Sequence, residues 1–249
     1  MNDSKEYLEK KANFDKLITL YGRNVVIEIL QDESIGIHKL HLADSNKTDG
    51  AVQTILSLAK KRDIEIAYHD KKTLSRISKN AKQDQGVAID ILSTTYQNAK
   101  EIAKLDSFRL IACEGIQNPQ NLGMIIRSCA AGNVDGIILP KKSSAKISPL
   151  VIKASAGTLF KLPIYYCNSL DEILPSLEDT KIYSLSSHAK NSIYDVEPSS
   201  KSIFVLGNES EGVSKEVEEL CNDSISIPMN RGVESLNVAV TASLIAFMK

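Results

Sequence analysis

The sequence predicts an α/β protein of two units, in which helices and strands alternate along the chain. Apolar residues make up 43% and charged residues 24% of the 249 residues, a balance typical of a packed fold rather than of disorder. Apolar positions recur with helical and with strand spacing in turn, and a polar stretch, 93–106, separates two such regions. In the longer second region, this alternation indicates a parallel sheet with helices on both faces.

The first unit is expected to span 17–92, after an N-terminal extension of 1–16 and before a linker of 93–106. Part of that linker, 98–105, has a helical pattern. A unit of roughly 75 residues is near the lower size for a core of its own. The predicted elements of this unit are helices at 24–30 and 51–61 and strands at 37–42, 64–68 and 85–91.

The second unit is expected to span 107–249. Gly132 and Asn133 are typical residues for the end of its first helix. Pro228 removes a backbone donor and fixes its own φ, so the last strand is expected to stop there. The predicted strands lie at 108–113, 136–139, 162–166, 181–185, 202–206 and 224–227, and the predicted helices at 122–131, 148–154, 170–177, 215–221 and 238–248.

Composition and cysteine spacing argue against a membrane protein and against a metalloprotein. The chain has no run of about 18 apolar residues, and its first residues are polar, unlike a secretory signal. The four cysteines form no C-x-x-C pair for zinc or redox chemistry. We therefore expect a cytoplasmic protein with reduced cysteines and no metal. Because 30 basic residues oppose 31 acidic ones, an RNA-binding surface would require local basic clusters.

Three polar, glycine-bearing segments stand beside predicted elements of the second unit. Residues 118–123 precede the helix that carries Arg127, residues 206–212 follow a β-rich run, and residues 225–237 lead into the last helix. The N-terminus of that helix has free N–H groups that suit a polar or anionic ligand. Each segment alone fits an ordinary strand–loop–helix corner. Three of them in this order are a specific signal.

In order and internal spacing, these segments resemble the motifs of the SpoU/TrmH family of RNA ribose 2′-O-methyltransferases, within the SPOUT superfamily. The resemblance implies a trefoil knot in the C-terminal domain, S-adenosylmethionine as cofactor, and a homodimer formed through that domain. It also implies that the first unit is a ribosomal-protein-like α/β domain that binds the RNA substrate, because 21–26 and 85–87 match its pattern. Asp84 stands where the family usually has His.

The resemblance assigns the catalytic residues Asn121, Arg127, Glu209, Ser235 and Asn237. Ribose methylation requires a 2′-hydroxyl that is held close to the methyl group and that loses its proton. A guanidinium keeps its own proton and matches phosphate with a planar fork, so Arg127 is expected to position phosphate and stabilise charge. Asn121 is expected to orient Arg127 or the ribose. The family pattern selects Glu209 rather than Glu211.

Cofactor contacts in the family come mostly from the backbone of loops. The matching positions in this chain, with their neighbours, are Gly207, Ile227, Met229, Leu236, Ser155 and Gly157. The four histidines match no motif and are interpreted as incidental: His38, His41, His69 and His188.

The first functional hypothesis is methyl transfer from S-adenosylmethionine to a ribose 2′-hydroxyl of RNA. The two-domain layout resembles members that act on 23S rRNA, above all the guanosine-modifying type. A tRNA 2′-O-methyltransferase is an alternative, although members that act on tRNA usually lack such an N-terminal domain. A non-catalytic RNA-binding or ribosome-assembly protein is the alternative from another class. It would be favoured by loss of the catalytic residues, all five of which are present.

Overall fold

The computed structural model describes residues 17–33, 35–79, 84–92, 96–197 and 199–248. The chain divides into two units, Met1–Thr94 and Thr95–Lys249. Both are α/β, and the second contains a parallel sheet, so the predicted fold class is confirmed. The predicted extension, 1–16, lies outside the described residues. Among the described helices, none combines the length and the hydrophobicity needed to cross a membrane.

The first unit is a four-stranded mixed sheet with helices. The strand order is β1-β4-β2-β3, in which β4 is antiparallel to both neighbours and β2 and β3 are parallel. The strands are β1 (Leu17–Tyr21), β2 (Gly36–Ala43), β3 (Ile66–His69) and β4 (Val87–Leu92), and the helices are α1 (Arg23–Gln31), α2 (Gly50–Lys61) and α3 (Lys71–Ser78).

The sequence prediction lacks two of these elements, β1 and α3. Helix α3 begins after Asp70, whose Oδ1 accepts a hydrogen bond from Thr73 N at 2.8 Å. This is an ordinary N-cap. The helix is short, and Leu74 is its buried apolar anchor, packed with Ala43 and Ala88. One fully buried apolar residue in eight gives little helical periodicity, so the sequence pattern does not predict this helix.

Arg62 closes the C-terminal end of α1. Its guanidinium donates to four carbonyl oxygens at 2.6–3.2 Å, those of Ile29, Leu30, Asp32 and Ile35. The last carbonyls of a helix have no partner within the helix. A cation at this end also interacts favourably with the helix dipole. Arg62 therefore fastens the turn after α1 to the end of α2.

A chain of hydrogen bonds crosses one face of this sheet. Thr19 Oγ1 donates to Asp90 Oδ1 at 2.6 Å, and Asp90 Oδ2 lies 3.0 Å from His41 Nε2. His41 Nδ1 lies 3.0 Å from His69 Nε2. Burial raises the pKa of Asp90, but the hydrogen bonds with His41 and Thr19 outweigh it, so the pKa is lower than usual. Strand pairing thus joins His41 and His69 into a structural network, while their interpretation as incidental to the function stays a prediction.

Asp84 is a structural residue of the turn before β4. Its side chain is buried, its Oδ2 accepts from Ser78 Oγ at 3.0 Å, and its Oδ1 accepts from Gly86 N at 3.0 Å. Gly86 has a φ of 76°, which glycine adopts without strain. The Asp84 carboxylate, which stands where the family usually has His, thus stabilises this turn through its hydrogen bonds.

The second unit is built on a sheet in which every strand pair is parallel. The strand order is β10-β12-β9-β11-β6-β7-β8-β5. The knot expected in this unit stays a prediction. The strands are β5 (Tyr96–Asn98), β6 (Phe108–Cys113), β7 (Gly136–Pro140), β8 (Ile164–Cys167), β9 (Lys181–Leu185), β10 (Asn191–Ser192), β11 (Lys201–Leu206) and β12 (Asp223–Ser226).

Part of the predicted linker, 93–106, belongs to this second unit. Residues Tyr96–Asn98 pair with β8 at the edge of the sheet, and a 3-10 helix, Ala99–Lys104, follows. Ala99 and Ile102 are fully buried in the core of this unit. The segment is polar at most other positions, so its two apolar anchors were not enough to distinguish it from a linker.

The regular helices of the second unit are α4 (Pro119–Ala131), α5 (Pro149–Ser155), α6 (Leu170–Ile173), α7 (Lys215–Glu218) and α8 (Val238–Ala246). Helix α4 begins earlier than predicted, because Asn118 Oδ1 accepts from Gln120 N at 2.9 Å and Pro119 occupies the first turn. The last three helices are shorter than predicted. Of these, α6 continues as a 3-10 turn, Leu174–Ser176.

Helix α4 packs against both α5 and α8. Gly123 is the point of closest approach between α4 and α5, since a Cβ there would lie 2.5 Å from Ala154 Cβ and 2.6 Å from Val151 O. On the opposite face of the sheet, α6, α7 and the 3-10 helix contribute to a second apolar layer. The predicted arrangement of helices on both faces is present, and it leaves the loops at the carboxyl ends of the strands accessible.

Candidate active site

A cavity of about 1050 Å³ lies at the carboxyl ends of β9, β11 and β12, three neighbouring strands. Ligands of open parallel sheets bind in this position, in the crevice outside the strand ends. The cavity is lined by residues 185–188 after β9, 206–213 after β11, and 225–229 and 233–236 in the segment that leads into α8. The segment after β11 and the segment that leads into α8 contain motifs identified in the sequence.

Four of the six predicted cofactor positions line this cavity: Gly207, Ile227, Met229 and Leu236. At Gly207, a Cβ would lie only 2.0 Å from the carbonyl carbon of Gly212. Asn208 and Gly212 are joined by two backbone hydrogen bonds of 2.9 Å each. Residues 207–212 therefore form a tight loop that any larger residue at position 207 would open.

The other two predicted cofactor positions, Ser155 and Gly157, are absent from the described lining of the cavity. Ser155 is fully buried, and its hydroxyl donates to Ile152 O at 2.9 Å. Gly157 has a φ of 76° just beyond the end of α5. The structure thus uses both residues to terminate α5 where it packs against α4.

Three predicted catalytic side chains meet at the edge of the cavity. Asn121 Nδ2 donates to Glu209 Oε1. Asn237 Nδ2 lies 3.2 Å from both Asn121 Oδ1 and Glu209 Oε1. Asn237 Oδ1 in turn accepts from Ala239 N at 2.9 Å, so the same side chain caps α8. We call Asn121, Glu209 and Asn237 the polar cluster. It joins α4, the loop after β11 and the start of α8.

The remaining two predicted catalytic residues are placed differently. Ser235 is exposed and lines the cavity. Arg127 is exposed on α4, six residues and about 9 Å along the helix axis after Asn121. The described side-chain partners of Asn121 are Glu209 and Asn237. Within this chain, the side chain of Asn121 therefore orients Glu209 and Asn237, and not Arg127.

Two features of the site lie outside the predicted motifs. The loop 185–188 lines the cavity, and it includes His188, which was interpreted as incidental. Its position directly after a predicted parallel strand could have identified it. Glu114, at the end of β6, accepts from Ser214 Oγ at 2.6 Å and from Ser214 N at 2.9 Å. This pair fastens the loop after β6 to the loop after β11.

The cavity lining carries more acidic than basic groups. Its carboxylates belong to Glu209, Glu211, Glu218 and Glu234. Among the described residues of the lining, Lys215 carries a cationic side chain, and His188 carries an imidazole. An excess of carboxylates over cations gives the cavity a negative potential, which attracts a positively charged ligand.

The second unit matches a family model over residues 108–247, and that family is described as the SpoU rRNA Methylase family. The chain belongs to the SpoU family. Its first unit matches a second model over residues 19–97, described as RNA 2′-O ribose methyltransferase substrate binding. All three motif segments, and with them the cavity and the polar cluster, lie within the SpoU match.

Other members of the SpoU family align along most of this chain. A protein of Staphylococcus saprophyticus, named as a TrmH family tRNA/rRNA methyltransferase, is 30% identical over 92% of this chain and 94% of its own length. A protein of the same description from Bacillus subtilis is 30% identical over 91% of this chain and 92% of its own length.

Solved structures share the fold. An AdoMet-bound rRNA methyltransferase from Sinorhizobium meliloti superposes with a TM-score of 0.66 at 21% identity, covering 96% of this chain and 88% of its own. The SpoU methyltransferase AviRb from Streptomyces viridochromogenes, solved in complex with the cofactor AdoMet, gives a TM-score of 0.67 at 19% identity, covering 95% of this chain and 90% of its own.

Proposed function

We propose that this protein is an S-adenosylmethionine-dependent RNA ribose 2′-O-methyltransferase. The observation that carries the proposal is the polar cluster. Three side chains from separate segments converge at the rim of a cavity at the carboxyl ends of parallel strands. Membership of the SpoU family and the names of its relatives support the same activity.

The cavity fits S-adenosylmethionine in size, charge and shape. Its volume of about 1050 Å³ accommodates a molecule of that size. Its four carboxylates suit the positive charge of a sulfonium. Gly207 has no side chain between its backbone and the cavity, so a ligand such as the adenosine portion can approach that backbone closely. Two structures of the same fold are described as bound to AdoMet. When bound, the cofactor supplies the methyl group.

The polar cluster positions the ribose in this proposal. Asn121 and Asn237 both direct amide N–H groups at Glu209 Oε1 and so fix the orientation of that carboxylate. Among the described residues, Glu209 Oε2 has no hydrogen-bond partner. We assign Oε2 to accept a hydrogen bond from a ribose hydroxyl, and Ser235, on the cavity wall, to a second polar contact. Held in this way, the 2′-hydroxyl approaches the methyl group in line.

Arg127 serves the RNA phosphate in this proposal. It is exposed on α4, and its planar fork binds phosphate through two parallel hydrogen bonds. Arg127 is displaced along α4 from the polar cluster of the same chain. We therefore infer that it acts at the interface of a homodimer, on the site of the other copy. Exposed apolar side chains on α4, α5 and α8, and just beyond the end of α8, support such an interface: Met124, Leu150, Val240 and Phe247.

We assign ribosomal RNA as the substrate, with tRNA as the alternative outcome of the test. The first unit supports an RNA substrate, since it matches a model described as RNA 2′-O ribose methyltransferase substrate binding over residues 19–97. The resemblance to members with this layout favours 23S rRNA. A non-catalytic RNA-binding role is disfavoured by the intact polar cluster, which simple RNA binding does not require.

The deciding experiment compares RNA from cells with and without this gene, by mapping 2′-O-methyl positions across rRNA and tRNA. One ribose site should be lost from rRNA on deletion and regained in vitro with purified protein and S-adenosylmethionine. Loss of a tRNA site instead would move the assignment to tRNA. An unchanged map, together with no binding of S-adenosylmethionine in calorimetry, would overturn the enzyme proposal.

A further inference from the structure

Residues 136–170 form a strongly basic stretch of the second unit. They contain five lysines and no Asp, Glu or Arg, which leaves 25 basic against 31 acidic residues in the rest of the chain. Three of these lysines, Lys141, Lys142 and Lys146, are exposed in the segment that follows β7. Among the described residues, none of the three forms an ion pair. We call residues 141–146 the lysine loop.

Hydrogen bonds hold the lysine loop beside the segment that leads to the polar cluster. Ala145 N donates to Ile116 O at 2.8 Å, and Ser144 Oγ donates to Cys113 O at 3.3 Å. Both acceptors lie between the end of β6 and the start of α4, and Asn121 follows Ile116 by five residues. The lysine loop is therefore fixed next to the segment that positions Asn121.

The charge changes sign along this edge of the sheet. The strand order places β6 between β11 and β7. Glu209 follows β11 on one side of β6, and the lysine loop follows β7 on the other side. The large cavity at β9, β11 and β12 carries four carboxylates, and such a surface repels a polyanion. A nucleic-acid backbone at the polar cluster is therefore favoured on the side of the lysine loop.

Building on the proposed function, we propose that the lysine loop binds phosphates of the RNA strand that carries the target ribose. Every ribose within a strand has one phosphate on its 5′ side and another on its 3′ side. A strand whose ribose contacts Glu209 therefore continues past the polar cluster in two directions. The acidic cavity disfavours one of them, and the lysine loop stabilises the other.

The chemistry of lysine fits this role. Its ammonium is a compact charge on a flexible stem, which suits phosphates of a flexible strand rather than one fixed geometry. Contacts of this kind position the RNA without reading its sequence. The lysine loop thus extends the phosphate contact assigned to Arg127 to further phosphates of the same strand.

A lysine footprint on the full-length protein locates the contact without any substitution. The protein, saturated with S-adenosylhomocysteine, is acetylated with and without rRNA from cells that lack the gene, and modified lysines are quantified by mass spectrometry. RNA should protect the three lysines of the lysine loop. Three lysines at the amino ends of β8, β9 and β11, on the opposite edge of the sheet, should stay reactive: Lys161, Lys181 and Lys201. Equal protection of both sets, or no protection of the lysine loop, would overturn the proposal.

Charge variants measure what the lysine loop contributes to RNA binding. The loop variant combines Lys141→Gln, Lys142→Gln and Lys146→Gln. The control variant removes the same charge and combines Lys161→Gln, Lys181→Gln and Lys201→Gln. Affinity for a short single-stranded RNA of mixed sequence is measured at several salt concentrations, and a thermal melt verifies folding.

The slope of log affinity against log salt concentration should become shallower by about 2 in the loop variant, because each phosphate contact on a single strand contributes roughly 0.7. The control variant should keep the slope of the wild type. Arginine at the three loop positions should also keep it, since the charge is retained. Equal slopes for the loop variant and the control variant would overturn the proposal.

A methyl-transfer assay distinguishes failure of this inference from failure of the proposed function. With rRNA from cells that lack the gene, the loop variant should raise KM for RNA roughly tenfold and leave kcat unchanged, as expected for a contact made equally before and during the reaction. An unchanged KM beside an active wild type would overturn the inference and keep the methyltransferase. If the wild type transfers no methyl group, the proposed function fails, and the footprint and the salt slopes still decide whether the lysine loop binds RNA.

Discussion

Asn237 Nδ2 lies 3.2 Å from Glu209 Oε1, while Asn237 Oδ1 accepts a hydrogen bond from the backbone at the start of α8. One amide side chain therefore has two roles: it caps a helix and orients a carboxylate. The two roles use different atoms of the side chain, so substitutions can separate them.

Asn237→Ser is expected to keep the cap and to lose the cluster contact. A serine hydroxyl is a favoured N-cap acceptor but is too short to replace the amide donor at Glu209. Methyl transfer should fall strongly while the melting temperature changes little. Asn237→Ala should lower both, with a cost of about 1 kcal/mol from the cap. Equal activities of the Ser variant and the wild type would show that the contact with Glu209 has no part in the reaction.

Arg127→Ala is expected to reduce methyl transfer by a factor of about 100 to 1,000, typical for the loss of a preorganised electrostatic group. Arg127→Lys should rescue poorly because a point charge lacks the planar fork. Single-turnover transfer and a thermal melt are the measurements. Lys181→Ala, which removes an exposed cation at the start of β9, is the matched control. Near-normal transfer in a folded Arg127→Ala protein would make Arg127 an ordinary surface residue.

Arg62→Lys is expected to destabilise the first unit. The guanidinium serves four carbonyl oxygens, and an ammonium cannot reach all of them. Leaving such groups unpaired costs about 1–3 kcal/mol. Hydrogen exchange should increase in peptides that cover α1. Lys61→Ala is the control, because its ion pair with Glu33 is exposed and spans 3.5 Å. Unchanged exchange in the Arg62→Lys protein would contradict the assigned role.

Asp90 is expected to stabilise the first unit above its ordinary pKa of 3.8 and to lose this effect in acid. Its pKa is lowered in the folded state, so its contribution is complete above the unfolded value and disappears as the pH falls through the folded value. In urea titrations followed through the NMR signals of Gly22 and Gly36, Asp90→Asn should destabilise more at pH 6 than at pH 3. The exposed Asp63→Asn change should show no such difference. An equal cost at both pH values would argue against an ionised Asp90 in the network.

The sequence was most informative where local chemistry determines structure. The tight loop at Gly207 and the cap that Asn237 provides for α8 depend on backbone conformation and capping, which nearby residues specify. The meeting of Asn121 with Glu209, 88 positions away, could be expected only through the family resemblance, because no local pattern brings distant loops together.

The features missed by the sequence interpretation depend on strand pairing. His41, His69 and Asp90 form a network because β2, β3 and β4 are neighbours, and the register of those strands is not visible in any one segment. A second cavity, of about 370 Å³, likewise arises from the segments after four different strands, β6, β7, β8 and β11. Ser155 and Gly157 were expected to contact the cofactor, and that expectation stays a prediction; the structure places both at the end of α5.

Asn208, Glu211 and Gly212 line both the cavity at the strand ends and a smaller cavity of about 370 Å³, so the 207–212 loop has a thermodynamic consequence for the affinity of ligands. A molecule that displaces this loop from one side changes the shape of the cavity on the other side. Linkage requires that the effect be reciprocal, so each ligand alters the affinity of the other by the same factor. With Gly207 pressed against Gly212 and Asn208 bonded twice to Gly212, we expect the loop to shift as a unit. A ligand in one of these cavities would therefore change the affinity of a ligand in the other through six residues of backbone.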